Sequence, residues 1–79
     1  MMKIEFRLYA FLSRYMPESW KDASTVEVRE GMTVKELLES IKVPLDAVKV
    51  VFVNGVHARG DETLREGDRV GVFPPVAGG

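Results

Sequence analysis

The chain has 79 residues and a mass of 8.9 kDa, is 46% apolar and 29% charged, and has no cysteine and one histidine, His57. Without cysteine there is no disulfide framework, thiolate zinc site, cysteine-ligated iron–sulfur cluster or cysteine nucleophile, and one histidine argues against a protein-built metal site or a catalytic triad. The formal charge of −1, with both signs interleaved along the chain, lacks the basic footprint of a nucleic-acid binder, and no apolar run approaches the ~20 residues of a membrane span.

Residues 3–9 alternate, with Ile4, Phe6 and Leu8 on one face and Glu5 and Arg7 on the other, which predicts a half-buried strand. Phe11, Leu12, Tyr15 and Met16 recur at helical spacing for one or two turns, until Pro17 biases its predecessor away from helix. Residues 17–24 read as a polar loop around Trp20, which is a lid for the core or an exposed partner anchor, and residues 25–29 as a second strand. Gly31 turns the chain, and Thr33 with Glu36 forms a capping-box signature. Val34, Leu37, Leu38 and Ile41 then predict a helix that Pro44 stops. Residues 50–53 are wholly apolar and read as a strand covered on both faces. Asn54-Gly55 signals a hairpin with a short return strand over 56–58. A polar stretch around Leu64 leads through Gly67-Asp68 into a last strand over 69–73, which Pro74-Pro75 ends.

These elements predict one α+β domain over 1–79, a mixed sheet of four to five strands with one main helix on one face, ending in a flexible tail at 74–79. With no charged-then-apolar leader before the first strand, the chain reads as a mature cytoplasmic protein. A core this small occupies most of the large side chains, so any chemistry is expected at the surface or at an end.

The sequence closes with Pro74, Pro75, Val76, Ala77, Gly78 and Gly79. Two prolines favour an extended course, and an extended tail of this length reaches ~20 Å at ~3.3 Å per residue. A tip without Cβ atoms threads a tunnel that rejects side chains. The terminal carboxylate is ionised at neutral pH and a poor electrophile, so a partner must activate it, for instance as an acyl adenylate, before a nucleophile displaces the nucleotide. The alternative is that small residues simply mark the end of order.

Leu64, Gly67-Asp68, Phe73, Pro74, Pro75, Val76, Gly78 and Gly79 resemble the C-terminal signature of the small ubiquitin-like sulfur carriers, above all the small subunit of molybdopterin synthase. Upstream, residues 51–55 resemble that family's strand and hairpin, and residues 33–38 its helix start. The resemblance implies a β-grasp fold with the first and last strands parallel and adjacent at the sheet centre. It also implies that an E1-like adenylating enzyme activates the Gly79 carboxyl with ATP and Mg, so that this chain itself binds no cofactor. Sulfur from a persulfide donor then gives a thiocarboxylate, and the tail 74–79 inserts into the large subunit of molybdopterin synthase, where sulfur reaches the pterin precursor. On that reading the chain is a non-catalytic subunit, with Gly79 as its reacting residue. The thiamine-pathway sulfur carrier, a carrier for a tungsten–pterin cofactor and ubiquitin-like protein modifiers remain alternatives.

Phe73 and Val72, with Val76, are candidates for an apolar partner interface beside the tail. Val70 and Val72 share one face of the last strand, and Gly71 and Phe73 the other. Arg59, Arg65 and Arg69 are candidates for an acidic partner surface, and His57 for a solvent-facing or pH-sensitive contact. Asp61, Glu62, Glu66 and Asp68 lack the spacing of a calcium loop, no metal ligands are assigned, and no glycine-rich phosphate loop is present.

Overall fold

The computed structural model describes residues 1–75. Five strands form one mixed sheet in the order β2-β1-β5-β3-β4. β1 (Met2–Leu8) alternates buried and exposed along its length, as its apolar pattern requires. It runs antiparallel to β2 (Val26–Val28) and parallel to β5 (Arg69–Phe73). β3 (Val50–Val53) pairs antiparallel with β5 on one side and with β4 (Val56–Ala58) on the other. The first and last strands are thus neighbours, and β5 lies in the middle of the sheet. This is the ubiquitin-like β-grasp arrangement.

The helix α1 (Val34–Ser40) covers one face and supplies Val34, Leu37 and Leu38 to the core. Ile4, Leu12, Leu37, Val34 and Val72 are the largest side chains that are fully buried. All four amides of the first helical turn are satisfied. Those of Val34 and Lys35 donate to the carbonyls of Glu62 and Gly60, that of Leu37 to the Thr33 carbonyl, and that of Glu36 to Thr33 Oγ1 at 3.1 Å. The Thr33 amide donates to Glu36 Oε1 at 2.9 Å, completing the capping box read from the sequence. The polar stretch after β4 is therefore the lid of the helix N-terminus, pinned by Leu64, whose amide donates to the Met32 carbonyl.

Within this lid the amides of Arg59 and Gly60 donate to the Glu62 carboxylate at 2.8 Å each. These donors, with the Arg59 charge a smaller influence, hold the carboxyl below its ordinary value of 4.5. A lowered folded-state value means that the stabilisation is complete above the unfolded value and is lost as pH falls through the folded one. The thermal midpoint is expected to fall more steeply below pH 4.5 in the native protein than in Glu62→Gln, which keeps the shape and cannot ionise. Parallel acid limbs in a pH series of melting curves would refute this.

The structure corrects three expectations. The helix ends at Ser40, before Pro44. Lys42 adopts φ +67°, its amide donates to the Glu39 carbonyl, and the Val43 amide donates to Leu38. That is a Schellman closure, drawn shut by the burial of Val43 against the core. Residues 11–15 belong to a 3₁₀ helix, Ala10–Tyr15, which Met16 caps and which buries only Leu12, while Phe11 stays 47% exposed. β3 is covered on one face alone: Val51 is buried, and Phe52, pointing the other way, is 37% exposed. A single short helix covers one side of the sheet, so an apolar run need not be sandwiched. Trp20 closes the end of the core, its ring edge-on to Phe6 at 5.9 Å.

Candidate functional site

β5 is held on both sides up to its last residue. The Tyr9 amide donates to the Val72 carbonyl at 3.0 Å and the Lys49 amide to the Phe73 carbonyl at 2.8 Å. Pro74 and Pro75 follow directly and bring no amide to extend either ladder. The tail is thus launched from a rigid central strand rather than from a frayed edge. Of the residues assigned to tail insertion and reaction, Val76, Ala77, Gly78 and Gly79 lie outside the described residues, and Pro74 and Pro75 lie at the launch point.

The structure separates the two residues assigned to a partner interface. Val72 has no exposed surface and belongs to the core beneath α1, so it cannot meet a partner. The reason is strand parity: Val70 and Val72 point to the helix side, and Gly71 and Phe73 to the open face. Phe73 remains a candidate, and it is not alone. Its ring stacks on Tyr9 with centroids 4.2 Å apart and planes 3° from parallel, and it meets Phe52 edge-on at 5.9 Å. His57 lies beside Phe52 at 6.0 Å and is exposed.

The rings of Tyr9, Phe52 and Phe73 border a shallow cleft of about 390 Å³ floored by Gly71 and rimmed by Glu5, Arg7 and Arg69. An apolar centre with a charged rim immediately beside the tail is suited to a protein partner. No sequence motif marks Tyr9, Phe52 or Gly71 as part of a site, although the parity that places Phe73 outward also places Gly71 beside it. Arg59, Arg65 and Arg69 do not form one surface. Arg69 lines this cleft and Arg59 a different one beside α1, while Arg65 sits in the turn before β5.

Three of the four carboxylates after β4, those of Glu62, Glu66 and Asp68, are engaged with the backbone. Besides Glu62, Glu66 accepts from the Lys3 amide at 2.9 Å. Asp68 accepts from the Arg65 amide and from Asn54 Nδ2, at 2.8 and 2.9 Å. They fix the start of β5 against β1 and the hairpin, and among the described residues no three acidic or histidine side chains gather as a metal site. Asn54 and Gly55, at φ +55° and +81°, make the left-handed turn that the hairpin demands.

Gly71 has an ordinary backbone, so its missing side chain serves the aromatic stack. A Cβ there would meet the Tyr9 ring at 3.3 Å. In Gly71→Val the ring is expected to swing outward, because Tyr9 is 39% exposed and free to yield. Loss of the stack costs about 1 kcal/mol, offset by the better strand propensity of valine. The thermal midpoint should then move by less than about 5 °C while the ring-current shifts of Tyr9 and Phe73 disappear. Unchanged ring-current shifts would show that the stack does not depend on this glycine.

A five-stranded β-grasp sheet with its terminal strand at the centre, delivering a Pro-Pro tail beside an aromatic cleft, defines the class of ubiquitin-like carrier proteins. The family model described as the ThiS family matches residues 12–79, and the chain belongs to that family of ubiquitin-fold sulfur carriers. Among solved structures, it is similar to a Pyrococcus furiosus protein assigned as molybdopterin converting factor, subunit 1. That match has 30% identity, covers 96% of this chain and 100% of the other, and has a TM-score of 0.68. SAMP1 from Haloferax volcanii is 26% identical, with 98% and 99% of the two chains covered and a TM-score of 0.65. The HVO 2177 protein of the same organism is 25% identical, with 99% and 87% covered and a TM-score of 0.69. No helix among the described residues is long and apolar enough to cross a membrane.

Proposed function

We propose that this chain carries sulfur as a thiocarboxylate on Gly79 and delivers it during molybdopterin formation, as the small subunit of a molybdopterin synthase. The observation that carries the reading is the ending Phe-Pro-Pro-Val-Ala-Gly-Gly, which starts at the last residue of a strand locked into the sheet centre. The likeness to a molybdopterin converting factor subunit supports the pathway and, with it, a large-subunit partner. An oxygen of the Gly79 carboxylate attacks the α-phosphorus of ATP on an E1-like enzyme, and pyrophosphate leaves. The terminal sulfur of a donor persulfide then displaces AMP, and a thiol reduces the resulting S–S bond, leaving sulfur on the carbonyl carbon. The chain contributes no acid or base to these steps. Its part is to hold the carboxyl at the end of a narrow arm and to offer the aromatic cleft as the place where each partner seats.

The test is the intact mass of the protein after co-expression with its host's adenylating enzyme and sulfurtransferase. A gain equal to sulfur replacing one oxygen is expected. An unchanged mass with both partners active would overturn the reading, and appearance of lysine-linked conjugates instead would replace it with a protein modifier. Mixing the loaded chain with a molybdopterin synthase large subunit and the pterin precursor then tests the pathway, where failure to transfer sulfur would exclude the molybdopterin assignment.

A further inference from the structure

The outer edge of β1 carries a second surface, which shares Arg7 and Tyr9 with the aromatic cleft and is otherwise not used by the carrier reading. Odd-numbered residues of β1 turn their peptide groups toward β5: the Glu5 amide donates to the Asp68 carbonyl at 2.8 Å and the Tyr9 amide to the Val72 carbonyl at 3.0 Å. Even-numbered residues therefore turn theirs to the opposite edge. There Met2 and Ile4 register with Val28 and Val26 of β2, and β2 reaches no further. Beyond Ile4 no strand among the described residues lies opposite this edge, so the peptide N–H and C=O of Phe6 and Leu8 that face it have no ladder partner there. Two consecutive ladder positions of an otherwise paired strand are open.

The gap exists because residues 20–24 leave the sheet to bring Trp20 onto Phe6. It forms a cleft of about 660 Å³ between the Phe6 to Leu8 edge and a wall that includes Met16, Trp20 and Ser24. Arg7, Arg14 and Lys21 line it and no carboxylate among the described residues does, although the chain as a whole has a net charge of −1. All three cations are exposed, and among the described residues Lys21 alone of the three pairs with a carboxylate, that of Glu18 at 2.9 Å.

We infer that this edge binds an extended, acidic segment of a partner protein, which adds as a strand beside Phe6 and Leu8 where β2 stops. Backbone pairing supplies the open donors and acceptors with partners, as in other strand additions. Alternate side chains of the incoming strand fall toward Trp20 and Met16, and its acidic residues meet Arg7, Arg14 and Lys21. A second copy of this chain fits less well, since antiparallel pairing of two such edges brings like cations together. The inference rests on strand pairing and charge, and stands whether or not Gly79 carries sulfur.

The probe is a capped seven-residue peptide of alternating glutamate and valine, titrated into the full chain and followed by amide resonances and hydrogen exchange. In the free protein the Phe6 and Leu8 amides should exchange much faster than those of Arg7 and Tyr9. With peptide they should shift saturably and become protected. The corresponding lysine–valine peptide should bind at least about tenfold more weakly, and Arg14→Glu with Lys21→Glu should reverse that order. Four results would each overturn the proposal: slow exchange at Phe6 and Leu8 without peptide, shifts confined to Tyr9, Gly71 and Phe73, no saturable shift at millimolar peptide, or dimerisation through this edge.

Discussion

Removing Gly79 alone is expected to reduce sulfur loading by at least about a hundredfold while leaving the fold intact. The truncated chain still ends in a carboxylate on a glycine, so the loss comes from reach. One residue fewer withdraws the carboxyl by ~3.3 Å, about the whole separation at which reacting atoms must be held, and a misplacement of even ~1 Å can cost two orders of magnitude. Among the described residues every buried apolar one lies between Met2 and Val72, so the thermal midpoint should move by no more than about 4 °C. Gly78→Leu tests the same arm by width, since a side chain there must pass wherever the tip threads. Intact mass after co-expression reads both variants, and loading equal to that of the native chain would exclude the arm as the reactive element.

The largest expected effect on stability is that of Leu64→Ala. Leu64 is 2% exposed, and it stands alone among polar residues in the stretch that caps α1. Truncation leaves a cavity and loosens the segment whose carbonyls, at Gly60 and Glu62, receive the first helical amides. A buried leucine replaced by alanine costs about 3 kcal/mol, which in a domain of this size lowers the midpoint by about 15 °C. Urea denaturation should show the same loss at the midpoint concentration. A shift below about 4 °C would mean that residues 59–64 rest on the core without supporting it.

Much of this fold is legible in local patterns of residues. Alternation in β1 and β5, the Thr33 and Glu36 box and the Asn54-Gly55 turn each involve neighbours whose side chains or dihedral preferences act over a few residues. What the sequence hides depends on contacts made at a distance. Lys42 offers no cue for a left-handed helix end, because burial of Val43 and not the identity of Lys42 closes the helix there. Phe52 sits in an apolar run that reads as doubly covered, and its face is open because, among the described residues, no helix covers the side of the sheet opposite α1. The aromatic site is half legible: strand parity puts Phe73 outside, whereas Tyr9 joins it only because β1 and β5 run parallel in one register. The same parity removes Val72 from the interface.

The central position of β5 also bears on how the protein is made. β1 and β2 emerge first from the ribosome and β3 and β4 follow, yet each pair reaches the other only through residues 69–73. Before those residues are synthesised the nascent chain has two incomplete hairpin-like halves and no closed core, and its long-range pairing has to wait. Folding is therefore coupled to translation having reached the strand that bears the tail. A partner that recognises the assembled aromatic face, built from β1, β3 and β5 together, rejects shorter nascent chains without a separate proofreading step.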